Sequence, residues 1–353
     1  MIETTTTKLE TNRLILRPFD ISNAESMFRN WASDPDVVRF MPYDVCKTIE
    51  DTQKRITEWM QYFEKTAPNS TVFAIVLKDN GEIIGTIDFA ETDKEARAAE
   101  VGYQLGKEWW GQGYTAEALQ AVIKHCFETV KLNRLWASYD SRNPASGRVL
   151  EKAGMLYEGT LRQCKVRRGE LADSVRYAIL AEDWEMKKEI AYYKTLPCVF
   201  DDFIEVPELS DDVIHLVCTQ KRPAIPEKKY VPAYDFAICK GSEKVGEINL
   251  RIGYGGFGPD ESSLYYGGQI GYGIDEQHRG NGYVGRACRL LLPVAEAHYM
   301  TKLLITNHIH NEASKRVCEK LGLRLIRTAR LPEWHDLYKD GQRFVNIYEW
   351  EIV

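Results

Sequence analysis

Three features are scarce in this 353-residue sequence, and each scarcity excludes a class of protein. The eight cysteines are scattered without a CxxC pair, so we expect neither a metal site nor a disulfide framework. No apolar run approaches the roughly eighteen residues that a transmembrane helix requires, so no membrane association is expected. The start, MIETTTTKLETNRL, is polar and lacks an apolar signal segment. A reducing cytoplasm is therefore the expected location.

The charge balance argues against one further class of protein. The chain carries 46 basic and 52 acidic residues, for a net charge of −6, and both signs are spread along its length. Nucleic-acid-binding proteins usually present a basic patch or stripe, so we expect no nucleic-acid partner. The 44 % hydrophobic content is sufficient for packed cores. The length suits two domains of ordinary size.

Both halves of the chain carry the same pair of motifs in the same order. The first pair is VGY…WWGQGY (101–114) and NPASGRVLEKAGM (143–155). The second pair is IGY…HRGNGY (270–283) and NEASKRVCEKLGL (311–323). The copies are 169 residues apart at the first motif and 168 at the second, so a one-residue deletion accounts for the difference. Such an ordered repeat indicates a duplicated domain.

The hydrophobic pattern predicts alternating strands and helices, and therefore an α+β (mixed α/β) fold. The run at 71–78 reads as a strand, and 115–130 places its apolar residues on one face, as a helix does. We predict two domains, at residues 1–190 and 191–353. Pro293 falls inside the second long helix and should kink it, because proline lacks the N–H that the helix needs.

In each copy a glycine-rich turn joins a strand to the long helix, at residues 110–115 and 279–284. Glycines allow successive backbone N–H groups to point at an anion, and the helix N-terminus adds a partial positive charge. Neither turn fits the Walker or the dinucleotide-binding pattern. A plain glycine turn would explain one copy alone. Its recurrence ahead of a second shared motif favours phosphate binding.

The second shared motif is Asn-x-Ala-Ser, at residues 143–146 and 311–314. Asparagine is a preferred N-cap and proline suits the first helical position, so helix capping would explain either copy alone. Capping does not explain why the motif follows the glycine turn by about thirty residues in both copies.

Taken together, these motifs resemble the GNAT superfamily of acyl-CoA N-acyltransferases, whose loop pattern is Arg/Gln-x-x-Gly-x-Gly/Ala. Residues 8–185 are similar to the branch that acetylates ribosomal-protein alanines, through LETNRLILRPF, YQLGKEWWGQGYTAEAL, NPASGRVLEKAGM and YEGTLRQ. The resemblance implies two tandem GNAT domains, each a mixed, largely antiparallel twisted sheet flanked by helices. It also implies acetyl-CoA as co-substrate, held between two diverging strands. Trp110 departs from the Arg/Gln position of the loop pattern.

The resemblance assigns roles to residues of the first copy. Glu158 matches the glutamate that serves as general base, and Ser146 matches the serine that protonates the departing thiolate. An exposed strand glutamate and a helix-capping serine are the alternative interpretations. The implied cofactor contacts are Gln112, Gly113, Tyr114, Thr115 and Asn143, the last to the pantetheine arm.

The second copy departs further from the pattern. Ile326 stands at the position of Glu158, and Val284 would crowd the pyrophosphate. Another base, such as Glu333, His335 or Asp336, would have to replace Glu158. We interpret this copy as a second transferase, a cofactor-binding relic or a structural partner of the first. The implied cofactor contacts are Arg279, Gly280, Gly282, Tyr283, Asn311 and Ser314.

The fraction of an amine that is neutral at pH 7 favours some classes of acceptor over others. Only the neutral amine attacks a thioester, and an α-amino group is roughly 10 % neutral at pH 7, whereas a lysine is well under about 0.1 % neutral. We therefore predict an N-acetyltransferase that acts on a primary amine, either a protein N-terminus or a small molecule. The alternatives are a small-amine or antibiotic-modifying acetyltransferase and a non-catalytic acyl-CoA sensor.

Overall fold

We describe the fold from a computed structural model, which covers residues 7–66, 70–228, 230–258 and 261–352. The chain divides between Met186 and Lys187 into two compact units, called here the first and the second domain. The division lies inside the helix Ala181–Lys194, which also contains the predicted boundary at residue 190. Within the described ranges, none of the helices combines the length and apolar character needed to span a membrane.

The first domain is built on one eight-stranded sheet, in the order β1-β2-β3-β4-β5-β6-β8-β7. All neighbouring strands are antiparallel except β5 and β6, which are parallel. Its strands are β1 Leu9–Glu10, β2 Leu14–Pro18, β3 Thr71–Leu77, β4 Ile83–Asp93, β5 Ala98–Leu105, β6 Arg134–Asp140, β7 Leu156–Arg167 and β8 Glu170–Leu180.

Helices cover both faces of this sheet. They are α1 Ala24–Met27, α2 Pro35–Val38, α3 Ile49–Thr66, α4 Tyr114–Glu128, α5 Pro144–Ala153 and α6 Ala181–Lys194. On one face Leu119, Val122 and Ile123 of α4 are fully buried against the sheet, as their spacing predicts. On the other face Met27 and Trp31 anchor a second apolar core. The sheet is therefore the middle layer of three, and its strand ends are held from both sides.

The second domain repeats this arrangement with its strands divided between two sheets. Five strands form one sheet in the order β13-β12-β11-β10-β9, and three form another in the order β14-β16-β15. The strands are β9 Leu209–Ser210, β10 His215–Arg222, β11 Ala233–Lys240, β12 Glu243–Arg251, β13 Ile270–Ile274, β14 Lys302–His308, β15 Arg324–Arg330 and β16 Phe344–Glu351.

The division arises because β13 and β14 share no ladder of hydrogen bonds. Instead, the backbone N–H of Gln269 donates to the carbonyl of Leu304 at 2.8 Å, and the Leu304 N–H donates to the Gln269 side chain at 2.6 Å. A side-chain amide thus replaces the strand pairing that joins β5 to β6 in the first domain.

The helices of the second domain include a break that the sequence predicts. They are α7 Ser263–Gly267, α8 Tyr283–Leu290, α9 Leu292–Ala297, α10 Glu312–Leu321 and α11 Asp336–Lys339. The predicted long helix is split at Leu291, and Pro293 lies in the first turn of α9, where its missing N–H is tolerated. The expected effect of Pro293 is therefore confirmed as a break between two shorter helices.

Candidate active site

In the first domain a cleft opens where two neighbouring strands part. β5 and β6 pair only at their first three positions, from Ala98 with Arg134 to Glu100 with Trp136. Beyond Glu100 the remaining residues of β5 have no ladder with β6, so backbone groups on both sides of the gap are available to a ligand. The two diverging strands that the family resemblance implies are therefore β5 and β6 in the first domain.

The glycine turn at the end of β5 has the geometry of an anion-binding loop. Gly111 and Gly113 have φ angles of 76° and 83°, in the left-handed region that favours glycine. No atom lies within 4 Å of a Cβ added to Gly111, so the space in front of the loop is open. α4 begins at Tyr114, and its first N–H groups have no partner within the helix. A diphosphate fits such a cradle.

The residues predicted to bind the cofactor at this loop differ in whether their side chains are exposed. Thr115 is buried, so only its backbone N–H faces the loop. Gln112 is exposed, and its carbonyl accepts from Arg13 at 3.0 Å. Arg13 also lies over the ring of Tyr114, 4.3 Å from its centroid. Sequence reasoning missed Arg13, although it belongs to the LETNRL segment that carries the family resemblance.

Trp110, which departs from the loop pattern, makes the same contact as its counterpart in the second domain. The Trp110 indole N–H donates to the carbonyl of Leu105 at 2.7 Å. Arg279 donates through Nε to the carbonyl of Ile274 at 3.4 Å. Each donor ties the turn back to the end of the preceding strand, so the departure leaves the function of this position intact.

A pair of hydroxyl groups stands in the cleft. The Tyr103 hydroxyl donates to the carbonyl of Ser146 at 3.0 Å and lies 2.8 Å from Ser146 Oγ. Burial raises the pKa of Tyr103. Sequence reasoning named Ser146 and missed Tyr103, although the tyrosine of VGY recurs in IGY. Within the described residues the Asn143 side chain makes no hydrogen bond, so this side chain does not cap α5 and is available to a ligand.

Glu158 lies apart from this hydroxyl pair. Its carboxylate accepts two hydrogen bonds from Arg134, at 2.7 and 2.5 Å. These bonds lower the pKa of Glu158. Arg134 is at the start of β6, opposite Ala98, whereas Tyr103 is near the far end of β5. The structure therefore brings Tyr103 and Ser146 together without Glu158, whose role as base stays a prediction.

Two other carboxylates lie at the point where the strands part. Asp88 on β4 faces Gly102 and sits over it, since a Cβ added to Gly102 would lie 3.2 Å from Asp88 Oδ1. Glu100 is diagonal to it on β5 and on the same face. Burial and the nearby charge of Glu100 raise the pKa of Asp88 to about 8, and burial raises the pKa of Glu100. Groups with such pKa values are candidate proton acceptors near neutral pH.

The surroundings of this carboxyl pair are polar. The Ser138 hydroxyl donates to Glu100 at 3.3 Å, and Lys165 donates to Ser138 at 3.0 Å. On the other side, the Tyr43 hydroxyl donates to the side chain of Gln104. Sequence reasoning missed Asp88 and Glu100, because no motif within a single copy marks them. The only sequence signal is a comparison of these two positions with their counterparts in the second copy.

The side chain of one arginine, Arg168, holds in place the loop that carries Tyr43. Arg168, at the turn between β7 and β8, donates to Asp44 at 2.8 Å, to the carbonyl of Arg39 at 3.1 Å and to that of Val38 at 3.1 Å. The loop before α3 and the β7–β8 hairpin therefore form one rim above the carboxyl pair. An acceptor molecule that reached Asp88 and Glu100 would pass this rim.

The second domain repeats the cofactor side of this site. The hydroxyls of Tyr272 and Ser314 lie 2.8 Å apart, as Tyr103 and Ser146 do. Gly280 and Gly282 have φ angles of 83° and 75°, and no atom lies within 4 Å of a Cβ added to either. The space in front of this loop is therefore open, and the crowding of a pyrophosphate by Val284 stays a prediction.

Two predicted contact residues of the second domain have side chains that are engaged within the domain. The Tyr283 side chain is buried, so only its backbone N–H is available to a ligand. The Asn311 side chain accepts from the N–H of Ser314 at 3.1 Å and caps α10, which is the alternative interpretation of this motif. Asn143 and Asn311 therefore occupy matching positions and have different contacts.

Comparison with known proteins establishes the class. The family of acetyltransferase (GNAT) domains matches residues 13–156 and 173–324, so the chain belongs to the GNAT family and contains two such regions. Relatives of the chain are named N-acetyltransferases, and the chain is an acyltransferase. The donor in this family is acetyl-CoA.

Individual relatives match one half of the chain. The uncharacterized N-acetyltransferase p20 of Bacillus licheniformis is 31 % identical over 176 residues, which cover 50 % of this chain and 97 % of that protein. The [ribosomal protein uS5]-alanine N-acetyltransferase of Escherichia coli is 32 % identical over 113 residues, 32 % of this chain and 58 % of that enzyme. A GNAT-family acetyltransferase from Bacillus anthracis, of known crystal structure, is 31 % identical with a TM-score of 0.45, over 50 % of this chain and 99 % of its own.

Proposed function

We propose that the first domain transfers the acetyl group of acetyl-CoA to a primary amine, either the α-amine of a protein or a small-molecule amine. The observation that carries this proposal is the arrangement at the parting of β5 and β6. There an open glycine cradle follows β5, and a hydroxyl pair and a carboxyl pair lie on opposite faces of the sheet beside the gap. These are the groups needed to hold the donor, protonate the leaving group and deprotonate the amine.

In this proposal acetyl-CoA, the acetyl donor, is held by backbone groups and by Asn143. The free N–H groups at the start of α4 and the left-handed Gly111 and Gly113 suit the diphosphate. The Asn143 amide, which makes no hydrogen bond among the described residues, suits the amide groups of the pantetheine arm. Acetyl-CoA supplies the activated thioester, and every other step is carried out by the chain.

The proton transfers of the reaction give the carboxyl pair and the hydroxyl pair one role each. The amine nitrogen forms a bond to the thioester carbonyl carbon, and the carbon–sulfur bond breaks. The amine loses a proton to the Asp88–Glu100 pair, whose raised pKa values suit it to accept one near neutral pH. The departing thiolate takes a proton from the hydroxyl pair of Tyr103 and Ser146. The products are an acetamide and free coenzyme A.

Two findings support a protein α-amine as the acceptor. One relative, 32 % identical over 113 residues, is named as an enzyme that acetylates an alanine of ribosomal protein uS5. An α-amine is also neutral far more often than a lysine at pH 7, so it places a smaller demand on the base. A small-molecule amine is the second candidate, because the acidic pair attracts any cationic amine to the cleft.

Free thiol release and mass spectrometry test the proposal. The purified chain is incubated with acetyl-CoA and either an alanine-initiated peptide or spermidine, and both thiol and acetylated product are followed. Acetylation of the peptide N-terminus supports the α-amine, and acetylation of spermidine alone supports the small-molecule amine. No thiol release above the rate without acceptor, with either amine, contradicts the proposal.

A pair of variants then identifies the base. We expect Glu100→Gln to lower kcat/KM about a hundredfold, in line with the usual contribution of a general base. Glu158→Gln removes the carboxylate that family resemblance predicts, while the amide still fills its place beside Arg134. Loss in E100Q with activity remaining in E158Q across pH 6–9 supports the Asp88–Glu100 pair. The reverse result establishes Glu158.

A further inference from the structure

The second domain has amide side chains at the two strand positions where the first domain has the carboxylates Asp88 and Glu100. Asn249 on β12 faces Gly271, as Asp88 faces Gly102. A Cβ added to Gly271 would lie 3.2 Å from Asn249 Oδ1, the same distance as in the first domain. Asn249 therefore occupies the position of Asp88 with nearly the same shape. Its amide is neutral and cannot accept a proton from an amine.

Gln269 replaces Glu100 in the same way. It directly precedes β13, in the same relation to IGY that Glu100 has to VGY. Gln269 is fully buried, accepts from the N–H of Leu304 at 2.6 Å and donates to the carbonyl of Gly253 at 3.0 Å. This side chain joins the two sheets and is not available to an acceptor. Both members of the carboxyl pair are thus replaced by amides.

The chain itself covers this face of the second domain. In the first domain only residues 94–97 connect β4 to β5, whereas residues 252–269 connect β12 to β13 and contain α7. In α7, Tyr265 and Tyr266 are 1 % and 4 % exposed. The segment packs into the domain as part of its core.

A half-buried arginine ties the end of this segment to β12. Arg251 pairs with Gln269 through its backbone N–H at 2.8 Å, the position that Ala90 holds opposite Glu100. Its Nη1 donates to the carbonyls of Gly267 and Gly268, at 3.2 and 3.0 Å, at the end of α7. Nη2 reaches over Gly271, 3.4 Å from an added Cβ. A guanidinium here repels the ammonium group that the acidic pair of the first domain attracts.

The candidate replacement bases have other partners in the described structure. His335 is buried beside Phe257 and Tyr266, its Nε2 lies 3.3 Å from the carbonyl of Ser263, and burial lowers its pKa. Glu333 accepts from the Tyr338 hydroxyl at 3.3 Å, and Asp336 pairs with Lys339 at 2.9 Å. None of the three takes the strand position of Asp88 or Glu100, which Asn249 and Gln269 hold.

We propose that the second domain binds coenzyme A through its glycine loop and Tyr272–Ser314 cleft but transfers no acetyl group, because amides and a half-buried arginine occupy its acceptor side. This inference rests on the proposed function of the first domain and on the cofactor loop shared by both. The second domain is then a site at which the chain responds to the nucleotide-thioester pool. By linkage, occupancy stabilises this domain without turnover.

Matched loop variants of the full chain test this proposal. Gly113→Asp and Gly282→Asp place a carboxylate where the diphosphate would bind, and aspartate tolerates the left-handed backbone better than most residues. Gly113→Asn and Gly282→Asn are the controls, with the same shape and no charge. Binding of coenzyme A is measured by calorimetry, and transfer by thiol release with the alanine-initiated peptide.

The expected pattern separates the two domains. The wild-type chain binds two equivalents of coenzyme A, and each aspartate variant loses one, with affinity at the altered loop reduced about tenfold or more by charge repulsion. G113D still binds one equivalent and releases no thiol. Each asparagine control retains more affinity at the altered loop than its aspartate counterpart, because it adds a side chain of the same size without the charge.

Two results would overturn the inference about the second domain. One is an unchanged number of bound equivalents in G282D, which would mean that this loop holds no coenzyme A. The other is peptide-dependent thiol release that persists in G113D, which would mean that the second domain transfers acetyl groups. A wild-type chain that binds two equivalents and acetylates neither amine contradicts the proposed function of the first domain. The loss of one equivalent in G282D still supports binding without transfer in the second.

Discussion

The two domains differ least around the glycine loop and most on the opposite face of the sheet. Each loop is held by a donor to the preceding strand, and each cleft contains a tyrosine–serine pair. On the other face, two carboxylates correspond to two amides. Backbone groups hold a diphosphate whatever the side chains are, so the cofactor side tolerates sequence change. A proton acceptor depends on one functional group and is lost by a single substitution.

A further contact is present in both domains with its charges reversed. In the first, Glu117 at the start of α4 accepts from Arg13 at 2.7 Å and from the Thr11 hydroxyl at 2.5 Å. In the second, Arg286 at the matching position of α8 donates to Asp211 at 2.9 Å. We call this contact the clasp. It ties the turn after the first strand to the cofactor helix, so the geometry matters and the sign of each charge does not.

The largest expected difference between the domains concerns their serines. Ser146→Ala removes a hydroxyl from the proposed proton donor, and we expect kcat to fall about ten- to a hundredfold, since a thiolate leaves more readily than most groups. Ser314→Ala is the matched change in the second domain, and it should alter coenzyme A binding there. Steady-state kinetics and calorimetry measure the two effects. Equal kcat for S146A and wild type would remove Ser146 from the mechanism.

The carboxyl pair should also make the first domain less stable as the pH rises. The folded-state pKa of Asp88 is raised to about 8, so the protonated carboxyl favours the folded state and stability is lost from about pH 4 to pH 8. Asp88→Asn should therefore stabilise the chain at pH 8 by more than about 1 kcal/mol, given about 1.4 kcal/mol per unit of pKa shift. Near pH 4 the gain should vanish. Melting temperatures across this range measure it.

An exposed carboxylate provides the control for that prediction. Glu95→Gln removes the same charge from an exposed turn of the same domain. It should leave the pH dependence of the melting temperature as in the wild type. A D88N chain that follows the wild-type curve at every pH would show that Asp88 is ionised in the folded state without penalty.

The two asparagines should respond in opposite ways to the same change. Asn311→Ala removes the cap of α10 and should destabilise that helix by about 1 kcal/mol, which hydrogen exchange of α10 measures. Asn143→Ala removes no cap bond, so α5 should exchange as in the wild type while KM for acetyl-CoA rises. Equal helix destabilisation in both variants would make Asn143 a capping residue and contradict its assignment to the pantetheine arm.

The smallest expected effect is in the clasp. Glu117→Arg should destabilise the first domain, and Arg13→Asp in the same chain should restore part of the loss, because the double variant recreates the charge order of Arg286 with Asp211. We expect a coupling energy of about 0.5–1 kcal/mol, typical of a partly exposed ion pair. A double-mutant cycle in urea measures it. Strictly additive effects would mean that the contact has no energetic part in holding α4.

Much of the molecule could be predicted from local patterns. The strand at 71–78, the helix at 115–130 and the break at Pro293 follow from periodicity and proline chemistry, which depend on neighbours along the chain. The duplication and the glycine cradle were visible for the same reason. Of the Tyr103–Ser146 pair, only the serine was predicted, because it lies in a recognised motif. The tyrosine stands in a repeated tripeptide to which no role was assigned.

The sequence by itself determined the two copies of the domain, the positions of both glycine loops and the family to which the chain belongs. Only the tertiary structure decided which carboxylates stand in the cleft, since Asp88 and Glu100 meet through the register of β4 and β5, and Glu158 is engaged by Arg134. It also decided the contrast with the second domain, where Asn249 and Arg251 lie over Gly271 and Arg251 holds the end of α7. Strand register and the packing of an inserted segment depend on contacts between residues distant in sequence, which local periodicity does not encode.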